Sequence, residues 1–400
     1  MAISGKREAR YVIGLMCGTS ADGVSAALIK TSGYLRERTV EVVRHLIEPY
    51  PQELSDRLFR LFPPNRFSAE EYAIAHRDFG RLLAEVSITV AEQAGLSIRN
   101  VSEVVVQAPT LIHKRPEGNK LGVHIEVGEA AVIAEMTKVP VVCDLRPSDI
   151  AAGGHGAPLS VYVDYMLFAD KKLGRAIQNI GGIANVTFVP ADCGLEDLLS
   201  FDTGPGNLVI DGVVKALTNG AEEFDRDGER ASRGKVSEAL MNRLMGIPYL
   251  QLTPPKTTGR EEFGDPFVRW FMEQARELRL TEDDMVATAT AFTAKCIGCH
   301  YREFLIPKSH LDEVILYGGG AHNKTLVRMV TQEVAPARVR MHDEFGISGD
   351  AREAVTWAIL GDEALAGYAT NVPAASGATR RVLLGKIVCT EPGSGKWIAS

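Results

Sequence analysis

The segment Phe201-Asp202-Thr203-Gly204-Pro205-Gly206-Asn207 sets a carboxylate just ahead of a Gly-Pro-Gly turn. A general base must be held within hydrogen-bond reach of the proton it takes, and rigid backbone at a strand end meets that need. An Asp in this pattern can equally close an Asx-turn, and the residues alone leave both readings open. Glycine turns offer a second chemistry: Gly18-Thr19-Ser20-Ala21-Asp22-Gly23, Gly181-Gly182, and Gly318-Gly319-Gly320-Ala321-His322-Asn323. Each gathers backbone N–H groups with no side chains in the way, a concavity that binds phosphate without basic residues. Thr19, Ser20 and Asp22 add hydroxyls and a carboxylate able to reach phosphate oxygens or Mg²⁺, directly or through water. One such turn is ordinary hairpin chemistry. Two of them with a triple-glycine loop fit a nucleotide polyphosphate gripped from two sides.

Other candidates carry two readings each. Asp144 and Arg146 follow the strand-like run Val141–Cys143, a place where open α/β sheets put ligand contacts. Glu353 could reach a substrate from a helix start, or could complete a capping arrangement with Asp350. The loop Pro254–Glu261 could touch substrate, and by default is expected to be solvated. Cys296-Ile297-Gly298-Cys299-His300 has metal-ligand types, but one CxxC inside a helical stretch reads as packing cysteines. No GxxxxGK[ST] occurs, since Gly393-Ser394-Gly395-Lys396 lacks the first glycine and runs into Trp397, and no GxGxxG opens a helix after a strand.

The elements that must position these groups follow a repeated grammar. Tyr11–Cys17 and Val24–Ile29 flank the first turn, and Ala176–Ile180 and Ile183–Val189 flank the second, each reading as strand, tight turn, strand. The chain therefore reads as two related halves that each open on a hairpin. Val314–Tyr317, the glycine loop and Leu326–Val330 read as strand, loop, helix start. Helical periodicity covers Glu70–Ala94 and Asp284–Glu303, and Ala351, Ala354, Val355, Ala358 and Ile359 share one face of a helix expected to begin near Asp350. Pro63-Pro64 and Pro248–Gly264 are loop or boundary candidates. No linker is polar enough to separate independent domains, so the domains are expected to pack across a shared cleft.

Composition narrows the class. Four hundred residues give a prior of two to three domains. A net charge of −7 disfavours a nucleic-acid binder working through a basic surface. The charged start and its seven-residue apolar run, Tyr11 to Cys17, are wrong for a secretory signal, and no apolar segment approaches a membrane span. Six irregularly spaced cysteines argue against a disulfide framework, so a cytoplasmic location is expected. Glycine is the oddity, 38 residues in 400 with no repeat to absorb them.

With these motifs assembled, the sequence closely resembles the anhydro-N-acetylmuramic acid kinases and the related levoglucosan kinases, within the actin, Hsp70 and sugar-kinase superfamily. Seven segments carry the likeness, in order and nearly end to end: Gly14–Val24, Gly153–Leu159, Asn179–Asn185, Phe201–Asn207, Pro255–Glu261, Gly318–Asn323 and Gly346–Glu353. The resemblance implies an α/β, two-lobed actin/hexokinase-like fold. Each lobe would be a ribonuclease-H-like mixed sheet flanked by helices, with the active site in the interlobe cleft. Residues 1–145 with 366–400 would form the N-terminal lobe and 146–365 the second.

The resemblance also implies roles. Gly18, Thr19, Ser20, Ala21, Asp22, Gly23, Val24 and Ser25 become the first phosphate loop, Gly181 and Gly182 the second, with Asn185 beside it. Gly318, Gly319, Gly320 and Asn323 fall on the adenosine side. Asp202 becomes the catalytic base, and Glu353, Arg146, Asp144, Thr110 and Asn207 the sugar contacts. The implied cofactors are ATP and Mg²⁺, with metal ligands unassigned, and the implied assembly is a homodimer without nucleic acid or membrane. The implied reaction opens a 1,6-anhydro sugar with water and phosphorylates O6, a step of cell-wall sugar recycling. Two departures stand out. Where the family has Ser-His-Gly-Gln-Thr, this chain reads Val106-Gln107-Ala108-Pro109-Thr110, with His113 retained, and Ser25 stands where the family usually has Asp. The first lies on what the resemblance makes the sugar side and leaves a different substrate or mode of binding open, while the levoglucosan-kinase-like segment Pro254–Arg260 keeps a levoglucosan-type substrate open. A pseudokinase that binds nucleotide or sugar without turnover is the remaining alternative, against which the retained Asp202 and Glu353 count.

Overall fold

The computed structural model describes residues 9–18, 23–63, 65–118 and 120–391. Thirteen strands occur among them. The first seven are β1 (Arg10–Cys17), β2 (Gly23–Ser32), β3 (Thr39–Pro49), β4 (Val101–Gln107), β5 (Thr110–Lys114), β6 (Val123–Glu126) and β7 (Val141–Cys143). The remainder are β8 (Arg175–Ile180), β9 (Ile183–Val189), β10 (Leu199–Pro205), β11 (Glu313–Tyr317), β12 (Arg338–Met341) and β13 (Lys386–Val388). The chain divides into two units, Met1–Leu167 with Gly346–Ser400, and Phe168–Phe345.

The first unit holds a six-stranded mixed sheet in the order β13-β7-β4-β1-β2-β3. β1, β2 and β3 form an antiparallel meander, while β4 and β7 add in parallel on the other side of β1. The near-continuous apolar runs of β1 and β4 fit strands covered on both faces. The Ala69–Gln93 helix starts on a capping box between Ser68 and Glu71 and buries Phe79, Leu83, Val86 and Val90 in the sheet's core. The Arg352–Leu365 helix packs on β1, β2 and β4. It docks so closely that a Cβ on Gly14 would lie 1.9 Å from the carbonyl oxygen of Ala354, so only glycine fits at the middle of β1. The small, paired hairpin β5–β6 stands beside this sheet.

The second unit repeats the plan. Its five-stranded sheet runs β10-β9-β8-β11-β12, with an antiparallel meander of β8, β9 and β10 and with β11 and β12 added in parallel beside β8. The helices Asn207–Leu217, Asp265–Glu277, Glu282–His300 and Lys324–Glu333 pack a core around Phe188, Phe201, Val213, Phe271, Phe292 and Ile297. Two hairpin-led halves, each a mixed sheet with helices, are what the repeated strand–turn–strand grammar led one to expect. The chain passes from one unit to the other at 167/168 and 345/346, whereas the resemblance implied boundaries at 145/146 and 365/366. The second difference has a physical cause, because the Arg352–Leu365 helix belongs to the sheet whose Gly14 makes room for it.

Candidate active site

In the second unit, three glycine segments far apart in sequence meet at the C-terminal ends of β8 and β11, where open α/β sheets bind ligands. The Gly181 and Gly182 carbonyls accept hydrogen bonds from Asn207 N (2.7 Å), Gly206 N (2.9 Å) and Leu208 N (3.1 Å), tying the β8–β9 turn to the start of the Asn207–Leu217 helix. A Cβ on Gly206 would lie 2.1 Å from Gly181 O, and Gly318, at φ +86°, would place one 2.4 Å from Asn179 Oδ1. Those two glycines are demanded by packing. Gly181 and Gly182 are not: a Cβ on either meets nothing nearer than 3.5 Å and 3.9 Å. The fold leaves space over that turn which it does not itself use.

Asp202 sits on β10 directly opposite Asn185 of β9, which in turn lies opposite Asn179 of β8, and Asn179 pairs with Tyr317 of β11. Directly opposed residues share a face, so Tyr317, Asn179, Asn185 and Asp202 form one polar row across the sheet. The ladder shifts register between Asp202 and Gly204, whose φ is +130°. Such bulges re-aim side chains and are frequent beside active sites. The Asp202 carboxylate accepts from the N–H of Thr258 (2.8 Å), its own N–H donates to Lys256 O (3.1 Å), and its carbonyl accepts from the Tyr249 hydroxyl (2.7 Å). These bonds reach across more than 45 residues of chain, unlike an Asx-turn. Burial, then the charge of Asp202, pushes the Tyr249 phenol far up and keeps it a donor. Asn323 caps the Lys324–Glu333 helix through its Oδ1 and the N–H of Leu326 (2.9 Å).

In the first unit, Thr19, Ser20, Ala21 and Asp22 lie outside the described residues. Gly18 is partly buried, and Gly23 is required by the sheet, since a Cβ there would lie 2.6 Å from Glu48 O. Val24 is a core residue. Ser25 Oγ lies 2.9 Å from Nε2 of His45, whose basicity burial lowers and the charge of Asp350 partly restores. Arg146 is fixed by Gln107 Oε1 (3.1 Å) and Gly156 O (2.8 Å) and lies 5.0 Å from the Trp357 ring centroid. Burial lowers its pKa, against the charges of Glu126 and Glu353. Gln107 Nε2 also reaches Glu126 Oε1 (2.5 Å) and Thr110 Oγ1 (3.4 Å), and Glu126 Oε1 lies 2.7 Å from His124 Nε2. The replaced loop is thus locked from within its own unit.

Glu353 is exposed in a helical turn whose neighbours Ala351, Arg352, Ala354 and Val355 are all buried. The helix is capped at Ala351 without a side-chain bond, so Glu353 forms no capping box, and the buried Arg352–Asp164 pair anchors the turn beneath it. Asp144 forms an ion pair with Lys386 (2.7 Å) on the edge strand. The six cysteines are free, and no group of three or more His, Cys, Asp or Glu that could hold a metal occurs among the described residues. No described helix is long and apolar enough to cross a membrane. Two cavities of about 540 Å³, one beside Arg57, Arg60 and Phe67 and the other beside Met241, Lys295 and Met329, contain none of these residues.

Sequence reasoning passed over Asn179, Tyr249 and Thr258. An Asn in an apolar strand was the available signal for the first. Thr258 lies within the Pro255–Glu261 segment without being singled out there, nothing local marks Tyr249, and both meet Asp202 only through the fold. The Pro254–Glu261 loop, by default expected to be solvated, is exposed at Pro255, Thr257, Arg260 and Glu261 but buries Lys256.

The chain matches the family described as Anhydro-N-acetylmuramic acid kinase over residues 10–390. It is 42% identical over 387 residues to the anhydro-N-acetylmuramic acid kinase of Caldanaerobacter subterraneus subsp. tengcongensis, covering 95% of this chain and 97% of that one. To the enzyme of the same name from Clostridioides difficile it is 37% identical, covering 96% and 100%. Among solved structures, the activator of the 2-hydroxyisocaproyl-CoA dehydratase from Clostridium difficile with bound ADPNP aligns at 13% identity. Its TM-score is 0.44, over 88% of this chain and 95% of that one.

Proposed function

The chain belongs to the anhydro-N-acetylmuramic acid kinase family, and on that premise we propose that it converts 1,6-anhydro-N-acetylmuramic acid, ATP and water to N-acetylmuramic acid 6-phosphate and ADP. The observation that carries this reading is Asp202, clamped at its N–H, its carbonyl and its carboxylate, in a polar row beside a glycine turn whose openness the fold does not need.

Asp202 takes a proton from the water that attacks the anomeric carbon. The C1–O bond breaks, and the bridging oxygen leaves as O6 and receives the γ-phosphoryl group. A positioned base contributes roughly 10²- to 10⁴-fold. The N–H groups of Gly181, Gly182 and the Gly318–Gly320 loop, with those of Gly18 to Ser25, hold and orient the polyphosphate. Arg146, rigid between Gln107 and Gly156, and the exposed carboxylate of Glu353 hold the sugar, with Thr110, Asn207 and Asp144. Asn185 keeps the row beside Asp202 polar, and Asn323 shapes the adenosine side as a helix cap.

Mg²⁺ usually enters such sites through one or two carboxylates, phosphates and water, without a protein cage. Thr19, Ser20 and Asp22 are the groups of the first turn that would hold it, and when bound it would neutralise phosphate charge. A homodimer and a cytoplasmic location complete the reading, the latter supported by six free cysteines.

A second substrate, levoglucosan or another 1,6-anhydrohexose, is favoured by one observation: Gln107 occupies the replaced loop and is tied to Glu126 and Arg146. ADP release with MgATP and each anhydrosugar in turn decides. Turnover with the muramic compound is expected; turnover with levoglucosan alone supports the second substrate, and tight binding without turnover overturns both.

A further inference from the structure

Two motifs that this reaction leaves unused converge behind Asp202. Lys256, from the proline-rich loop, is 5% exposed, and His300, which ends the CxxCH run, is fully buried. Lys256 Nζ lies 2.5 Å from His300 Nε2 and 3.4 Å from Tyr249 O. The ammonium also faces the rings of Tyr249, 4.8 Å to the centroid, and Phe304, 5.7 Å. His300 Nδ1 lies 2.6 Å from Cys296 O. A carbonyl oxygen only accepts, so Nδ1 carries the proton and Nε2 offers its lone pair to Lys256. Burial holds His300 down to about 4, which keeps it neutral and accepting.

The same short loop supplies the clamp on Asp202. Tyr249, whose carbonyl Lys256 bonds, donates its hydroxyl to Asp202 O; Lys256 O accepts from Asp202 N; and Thr258 N donates to the carboxylate. One buried side chain thus ties both ends of the Tyr249–Thr258 segment to the helix that carries His300.

Resting on the proposed role of Asp202, we propose that Lys256, seated on His300, is the positioning residue for that base. It fixes the loop that aims the carboxylate, and its positive charge favours the ionised carboxylate, the form that accepts a proton. The titratable groups facing Lys256 are His300, Tyr249, Cys296, Cys299, Glu303 and Asp202. Burial keeps both thiols protonated, which leaves Glu303 and Asp202 as the anions its charge acts on.

Lys256→Met keeps the apolar stem and removes the charge. It should lower kcat roughly 10- to 100-fold, part of the roughly 10²- to 10⁴-fold that a positioned base contributes, with KM for ATP little changed. The acid limb of kcat should move up by on the order of one pH unit. A merely structural role would lower Tm and leave that limb in place. His300→Gln, which retains an acceptor, should keep most activity, whereas His300→Phe should behave as Lys256→Met does. Wild-type kcat and an unmoved limb in folded Lys256→Met overturn the proposal. If that variant does not fold, equal kcat and equal limbs in the two His300 variants overturn it, and a split between them supports it. The amide of Thr258, followed by NMR in the nucleotide-free protein, should titrate with Asp202 and shift upward in Lys256→Met. That readout holds whatever sugar is turned over, so failure of the substrate assignment and failure of the positioning role are separable.

Discussion

The two units place different chemistry at equivalent positions of the same ladder. In the second unit, one residue before the last pair of the hairpin, the row reads Tyr317, Asn179, Asn185, Asp202 across β11, β8, β9 and β10. In the first unit the matching row reads Gln107, Met16, Ser25, Ile47 across β4, β1, β2 and β3. The carboxylate of one unit corresponds in ladder position to an isoleucine that is 61% exposed in the other, and an Asn corresponds to Met16, whose sulfur accepts from Trp357 Nε1 (3.0 Å). A duplicated architecture thus supplies two equivalent addresses, and the side chains decide which one does proton chemistry. The glycines divide in the same way: Gly14 is glycine because a helix lies on it, Gly182 because nothing of the protein does.

The largest expected effect tests the asymmetry of the rows. Asp202→Asn should reduce kcat by roughly 10²- to 10⁴-fold while nucleotide binding, measured by calorimetry, is retained. Ile47→Asn should leave kcat essentially unchanged, and a comparable loss there would make the two rows functionally equivalent.

The next contrast is in acid. His300 in the second unit is held at about 4, below the 6.5 of an ordinary histidine, so the unfolded chain binds a proton first as pH falls. Its contribution is full above 6.5 and is lost between 6.5 and 4, about 3 kcal/mol at most. Denaturant unfolding of His300→Gln at pH 7 and pH 4.5 should show a shallower loss than wild type, and an unchanged slope would place the acid sensitivity elsewhere. His45 in the first unit shifts in the same direction for the same reason.

Gly14→Ala should cost about 1–3 kcal/mol, because backbone of the docked helix must move, and a differential scanning measurement of Tm reads it. Gly182→Ala should leave Tm within experimental scatter and raise KM for ATP by about tenfold, a loss of roughly 1.4 kcal/mol. A Tm drop without a KM change at Gly182 would mean that the open turn serves the fold after all.

Much of this was legible in one dimension. Apolar runs, glycine stops and helical periodicity are local signals, so the hairpins, the Arg352–Leu365 helix and the glycine loops could be located from neighbouring residues. The resemblance to a kinase family was equally a property of ordered motifs. What local pattern left undecided were the alternatives at Asp202 and Glu353, the burial of Lys256 and the allegiance of residues 346–365. Asp202 meets Thr258 56 residues on, and Lys256 meets His300 44 residues on. Glu353 is left without a capping partner only because its helix caps at Ala351.

The sequence by itself determined that the chain is built of two hairpin-led halves, where the glycine turns lie, and which carboxylates are candidates. Only the tertiary structure decided that Asn179, Asn185 and Asp202 form one row, that Gly181 and Gly182 are spared by packing, and that a lysine expected in solvent is buried against a neutral histidine behind the base. The physical reason is that hydrogen-bond register and burial are set between segments tens of residues apart, where no periodicity along the chain records which partner each will meet.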